Sequence, residues 1–175
     1  LLQYRQLPKS ITIATGKEGG RYKDIVEALG DKIGAEYGIE VIYKPSPGSQ
    51  ANIEFIQKGE ADFAFFQPNV IKDNSNFSNV RMVANVFPEV ILTHVRKDLG
   101  HDPFIGELEE RKNTTIAVGE KGSGAAVNSE AILNHFDDGS MIGNRVTKSY
   151  DELISGFNSG TIDAAIVTTE ENASI

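Results

Sequence analysis

The chain has 175 residues, of which 39% are hydrophobic, and this is typical of a soluble globular protein with one core or two small ones. Its formal net charge of -8 argues against nucleic acid or an anionic membrane as the main partner. It has no cysteine, which excludes disulfides, thiolate metal sites and a cysteine nucleophile. No apolar run approaches the ~18 residues of a membrane span, and LLQYRQLPKS lacks the regions of a signal peptide. We therefore expect any targeting segment to lie outside this sequence.

The chain begins with the pattern of a strand, a glycine-rich turn and a helix. Residues 11–15 predict a short strand, and the turn lies within ATGKEGGRY, residues 14–22. Apolar residues then recur at helical spacing from Tyr22 to Ile33, and Gly38 is a typical C-terminal cap. The glycine turn therefore joins a strand to a helix.

A second strand, helix and strand follow. Residues 39–43 predict a strand, and the turn PSPGSQ ends in Ser49 as the N-cap of a helix that runs to about Lys58. Gly59 ends that helix, and residues 62–66, DFAFF, predict a continuous apolar strand buried on both faces of a parallel sheet. The first half is thus a βαβαβ unit.

The second half repeats this order. Residues 114–118 and 162–167 predict strands, residues 145–148 a weak strand, and Ser149 the N-cap of the last helix. The match is partly literal, because IATG recurs as IAVG 103 residues later and GEADFA recurs as GTIDAA 101 residues later. The predicted fold is therefore α/β, with two βαβαβ lobes and mostly parallel sheets.

Two lobes predict a ligand cleft between them. We expect lobe 1 at residues 1–86, a hinge or crossing segment at 87–98 and lobe 2 at 99–175. Pro88 breaks two apolar runs within the crossing, which fits either a hinge or an edge-strand kink.

Both glycine turns are predicted at the carboxyl ends of strands, where helix N-termini also point. Unpaired N–H groups and the positive end of the helix dipole form an anion site there. Gly19 and Gly20 in the first turn, and Gly122, Ser123 and Gly124 in the second, let the backbone approach a ligand closely. Ser49 opens a third helix in the same layer. These features predict a small anion with more than one polar end.

Other chemistry has little support in the sequence. Neither turn matches the Walker or GxGxxG patterns, and no histidine lies in a metal-spaced motif, so we expect no cofactor, no metal and no catalytic residue. Gln67 at a strand end is a ligand candidate. Tyr22 fits either ligand contact or core packing, and Arg21 is either a charge partner for an anion or a solvated arginine.

The motifs IATGKEGGRY, PGSQANIEFIQKGEADFAFFQPNV, VANVFPEVILTHVRKD, IAVGEKGSGAA and GTIDAAIV resemble the TAXI-type solute-binding proteins of TRAP transporters over roughly residues 11–167. The resemblance implies a type II periplasmic-binding-protein fold, glutamate, glutamine or a dicarboxylate as ligand, and delivery to a TRAP-type permease. The ligand-binding residues that it and the turn chemistry together indicate are Thr15, Gly16, Gly19, Gly20, Arg21, Tyr22, Ser49, Asn52, Gln67, Phe87, Gly122, Ser123 and Gly124.

The chain departs from the family at several of these positions. Arg21 replaces a common threonine, Phe87 a frequent tyrosine and Ala125 a threonine, so the glutamate preference is open while an anionic ligand is still expected. Family members also continue beyond this chain to complete the first lobe. A lobe without that return would expose apolar surface, which favours a homodimer.

The resemblance leaves two further roles open. The module is expected outside the cytoplasm, in the periplasm or tethered to a membrane through segments outside this sequence, and there it could also serve as a receptor's ligand-sensing domain. An enzyme on the same two-lobed architecture is the third reading. Only Glu18, Glu89 and Glu120 lie near predicted strand ends as acids or bases, so we expect binding without catalysis.

Overall fold

The computed structural model describes residues 6–71, 80–99, 113–136 and 143–170. They form a mixed α/β structure in two compact units, residues 1–82 and 83–175. The predicted segment 87–98 contributes a strand to the sheet of the second unit, and its role as a hinge stays a prediction. The helices and strands are, in chain order, β1 (Ser10–Ala14), α1 (Arg21–Tyr37), β2 (Glu40–Lys44), α2 (Ser49–Gln57), β3 (Phe63–Ala64), β4 (Glu89–Val95), β5 (Thr115–Ala117), α3 (Gly124–Phe136), β6 (Asn144–Val146), α4 (Tyr150–Ser159) and β7 (Ala164–Glu170).

The first unit is a parallel sheet in the order β2-β1-β3. β1 pairs along its length with β2, and its last two residues pair with β3. α1 covers this sheet because its buried Val26 packs against Ile11, Ile13 and Ile39. Gly38 ends α1 in a left-handed conformation, as predicted, and its N–H donates to Gly34 O at 2.9 Å.

Two local predictions in the first unit are wrong. The continuous buried strand at residues 62–66 is only Phe63–Ala64, because β3 pairs with β1 alone among the residues that the structure describes, and Phe63 is 45% exposed. The N-cap of α2 is Gly48, whose φ of 139° an L side chain rarely adopts. Ser49 is therefore the first helical residue, and its hydroxyl is available for a longer-range contact.

The second unit is a mixed sheet in the order β4-β7-β5-β6, in which only β4 runs antiparallel to its neighbour. Alternate residues of β5 point to opposite faces, so Ile116 packs with Leu133 of α3 and Ala117 with Leu153 of α4. The predicted Ser149 cap of α4 is confirmed, with Ser149 and Glu152 forming a reciprocal capping box.

Equivalent hydrogen bonds confirm the internal repeat. In the first unit the Thr12 N–H donates to the Asp62 carboxylate at 2.8 Å, and the Asp62 N–H donates to Thr12 O at 2.8 Å. In the second unit Thr115 and Asp163 exchange the same two bonds at 2.8 and 2.9 Å. The order β2-β1-β3 also recurs as β6-β5-β7. Each unit is therefore a βαβαβ motif built on the same plan.

Candidate functional site

A buried polar cluster lies where the strands of the first unit end. Four residues predicted as ligand contacts come together there, namely Thr15, Ser49, Asn52 and Gln67, with exposures of 0, 2, 0 and 9%. Thr15 follows β1, Gln67 follows β3, and the other two lie in the first turn of α2. This is the edge of a parallel sheet at which ligands generally bind.

Hydrogen bonds tie the cluster together. The Asn52 amide donates to the backbone carbonyl of Thr15 and, at 2.7 Å, to that of Phe65. The Gln67 N–H donates to Ser49 Oγ at 3.1 Å. The start of α2 is therefore fastened to the ends of both β1 and β3 by side chains.

The first glycine turn adopts a compact geometry between β1 and α1. The Gly20 N–H donates to Lys17 O at 3.1 Å, and Gly19 has a φ of 68°, a positive value that glycine adopts without strain. A Cβ on Gly16 would lie 3.2 Å from the Cβ of Tyr22. The turn thus places α1, whose N-cap Gly20 has no side-chain cap, directly beyond the end of β1.

Charge at this turn is mixed. Lys23 forms ion pairs with Glu18 at 3.0 Å and Glu27 at 2.8 Å, and the hydrogen bonds that its ammonium donates, first to Glu27 and then to Glu18, raise the pKa of Lys23 above its ordinary value. Arg21 is exposed at the first position of α1, and the carboxylate of Glu18 is exposed in the turn that precedes the helix. The positive end of α1 therefore carries an arginine that can face solvent or an anion.

Tyr22 packs against a neighbouring ring, as one of its two predicted roles requires, and its contact with a ligand stays a prediction. Its side chain is half-buried, and its ring lies 6.0 Å from the Phe65 ring at an angle of 54°. Sequence analysis missed Phe65 as part of this site, since its place within the apolar run DFAFF indicated core. Its carbonyl bond to Asn52 is a tertiary contact that no local pattern reveals.

The second glycine turn has the same geometry in the second unit. The Ser123 N–H donates to Glu120 O at 3.1 Å, and Gly122 has a φ of 85°. The Ser123 hydroxyl donates to Glu120 O at 2.7 Å and accepts from the Ala126 N–H at 3.1 Å, so it caps α3. Gly124 is buried in the first turn of α3, and the half-buried Phe87 lies just before β4 in the same unit.

The two units differ in polarity at the ends of their strands. By the offsets of the repeat, Val118 stands at the position of Thr15 and Leu153 at that of Asn52, and both are buried apolar residues. The second unit therefore forms the same strand order with apolar residues at these two positions. Burying a polar group is unfavourable unless it is hydrogen-bonded, and an apolar residue at either position has no such requirement.

The site offers no arrangement for metal binding in the part of the chain that the structure describes. No group of three or more His, Asp or Glu side chains there is placed to hold a metal ion. The polar groups that converge are hydroxyls, amides and backbone N–H groups. Such groups can hydrogen-bond a ligand and orient it.

Solved structures with the same fold are solute-binding and ligand-binding proteins. PhnD1 from Prochlorococcus marinus, in complex with methylphosphonate, matches with a TM-score of 0.64 at 19% identity, covering 92% of this chain and 64% of that one. The AvGluR1 ligand-binding domain with glutamate matches with a TM-score of 0.59 at 17% identity, covering 94% and 71%. An amino acid ABC transporter substrate-binding protein from Streptococcus pneumoniae, bound to L-arginine, matches with a TM-score of 0.54 at 19% identity, covering 92% and 68%.

These likenesses define the class of fold, which is that of the type II periplasmic-binding proteins, as predicted. A sequence model of the NMT1-like family matches residues 13–174, and the chain belongs to that family. Within the described residues, no helix is long and apolar enough to cross a membrane.

Proposed function

We propose that this chain is a solute-binding module that captures a small organic ligand through an anionic group. The observation that carries the proposal is the buried polar cluster at the strand ends of the first unit, since the positions of its Thr15 and Asn52 hold buried apolar residues in the second unit. The cluster borders the uncapped N-terminus of α1 and the first turn of α2. Helix N-termini present N–H donors and a partial positive charge, which suit a carboxylate or a related oxyanion.

The ligands of the structural neighbours support an anionic group. Those neighbours bind L-arginine, glutamate, methionine, phenylalanine and methylphosphonate. The amino acids share an α-carboxylate, and methylphosphonate carries a phosphonate, while the rest of each molecule varies. An oxyanion is thus the feature common to this set, and the glycine turn of the first unit is our proposed place for it.

The finer assignment follows from the sequence motifs. We propose that the module works outside the cytoplasm and passes its ligand to a membrane transporter of the TRAP type, because IATGKEGGRY and the other motifs resemble TAXI-type proteins. Its role is binding without turnover. Contact of the same ligand with Gly122, Ser123 and Gly124 stays a prediction.

A thermal-shift screen with matched pairs of compounds tests the proposal. Each pair holds an anion and an analogue without negative charge: L-glutamate with its dimethyl ester, succinate with succinamide, and methylphosphonate with its dimethyl ester. A ligand at 100 times its Kd stabilises the protein by about 2.7 kcal/mol, which raises the melting temperature measurably. We expect at least one anion to raise the melting temperature and its esterified or amidated partner to have no effect. If no anion raises it, or if these partners do so equally, the proposal is wrong.

A further inference from the structure

Two backbone carbonyls at equivalent positions of the repeat have side-chain hydrogen-bond donors from different helices. Phe65 and Ile166 occupy equivalent positions of the repeat, 101 residues apart. Phe65 O accepts from the amide of Asn52 on α2 at 2.7 Å. The hydroxyl of Ser129 on α3 lies 3.1 Å from Ile166 O and 2.8 Å from Ala125 O, and its one proton can be donated to either carbonyl. The donor thus comes from the second helix of the first unit but from the first helix of the second unit.

The helix that supplies the polar residue and the helix that supplies the apolar residue change places between the two units. Val26 in α1 stands at the position of Ser129, and Leu153 in α4 stands at that of Asn52. All four side chains are buried, with exposures of 0% for Val26, Ser129 and Asn52 and 8% for Leu153. Each unit therefore has one polar and one apolar residue at these two positions. The second unit forms its fold with a serine and a leucine there.

Asn52 makes a second hydrogen bond to the end of a neighbouring strand. Its amide also donates to Thr15 O, so a single side chain fixes the ends of β1 and β3 at once. Its Oδ1 is buried without a hydrogen-bond partner among the described residues. An unsatisfied buried acceptor is destabilising, typically by about 1–3 kcal/mol. Leucine at the equivalent position avoids that cost.

We infer that Asn52 is a positioning residue of the binding site, an inference that rests on the function proposed above. Asn52 is completely buried, so it acts through its neighbours and does not touch the ligand in this conformation. Thr15 directly precedes the glycine turn, and Phe65 lies two residues before Gln67. By holding both carbonyls against α2, Asn52 sets the position of the turn and of Gln67 relative to Ser49.

The test exchanges the residues of one unit for those of the other. Asn52→Leu removes both amide bonds, and Val26→Ser/Asn52→Leu adds a hydroxyl where Ser129 has one. Val26→Ser alone is the control that keeps Asn52. For each protein we measure the melting temperature and, by calorimetry, the Kd of L-glutamate, or of whichever of L-glutamate, succinate and methylphosphonate stabilises the wild type most.

We expect the double variant to melt about 4 °C or more above Asn52→Leu, yet both to bind at least about tenfold more weakly than the wild type. Val26→Ser should keep the wild-type Kd. Recovery of the wild-type Kd together with the melting temperature in the double variant would overturn the positioning role. A double variant no more stable than Asn52→Leu would overturn the exchange of carbonyl donors. If the wild type binds none of the three probes, the proposed function is wrong, and so is the positioning role that rests on it. The melting temperatures still test whether the donor to the carbonyl can be exchanged between the two helices.

Discussion

Replacing Ser49 by alanine removes one acceptor from the buried polar cluster. Ser49 Oγ accepts the Gln67 N–H at 3.1 Å, and the two residues are 2 and 9% exposed. In Ser49→Ala this N–H loses that acceptor in a place with little access to water. The expected loss of unfolding free energy is about 1–3 kcal/mol, the usual penalty for a buried donor that has lost its partner.

Urea and thermal unfolding, followed by far-ultraviolet circular dichroism, measure this loss. For a unit the size of residues 1–82, 1 kcal/mol corresponds to a melting-temperature change of about 4–8 °C. Because Ser49 also places Gln67, the Kd of the ligand found in the thermal-shift screen should rise as well.

Ser155→Ala is the matched control for this experiment. Its hydroxyl donates to Asp151 O at 2.9 Å on the exposed face of α4, and its loss should change stability by less than about 0.5 kcal/mol. If Ser49→Ala is as stable as Ser155→Ala, the hydroxyl of Ser49 does not support the end of β3, and our description of the cluster is incorrect.

Three further predictions concern other parts of the chain. Asp163→Ala should lower the unfolding free energy by about 1–3 kcal/mol and more than Asp62→Ala does, because Asp163 accepts the Thr115 N–H and also pairs with Arg96 at 3.0 Å; equal urea midpoints for the two variants would contradict this. Hydrogen bonds from the Ser149 backbone and side chain, and then Lys148, lower the pKa of Glu152 from 4.5 to about 2. The stability that Glu152 adds relative to Glu152→Gln should therefore be complete above pH 4.5 and disappear as the pH falls to about 2; a difference that is independent of pH in urea titrations would refute it. Arg21→Thr should weaken binding of an anionic ligand and flatten the dependence of its Kd on salt, and an unchanged salt slope in calorimetry would show that Arg21 is only a solvated arginine.

The internal repeat could be predicted from the sequence because short segments of the two units are similar. GEADFA and GTIDAA hold Asp62 and Asp163, which make the same pair of bonds to the first strand of their units. The glycine turns were equally predictable, since Gly19 and Gly122 both adopt a positive φ that few other residues tolerate. These turns depend on the conformational preferences of residues that are close in sequence. A sequence pattern therefore predicts them.

Features decided by tertiary contacts were harder to predict. The apolar run DFAFF indicates a long strand, but its length depends on its neighbour, and only Phe63 and Ala64 pair with β1. Ser49 has the composition of an N-cap, yet it bonds to Gln67, which lies 18 residues further along the chain. For the same reason the sequence predicted the polar cluster only in part. It indicated the individual residues, but it did not indicate the hydrogen bonds of the Asn52 amide that join them.

Nuclear magnetic resonance of the glycine amides tests the central claim most directly. Gly16, Gly19 and Gly20 lie in the proposed anion site, whereas Gly38 ends α1 at the opposite end and serves as an internal reference. On titration with the stabilising anion, we predict saturable changes in the amide shifts of the three turn glycines and little change at Gly38. Stabilisation by the ligand without any change at these three amides would contradict the account, because the ligand would then bind elsewhere.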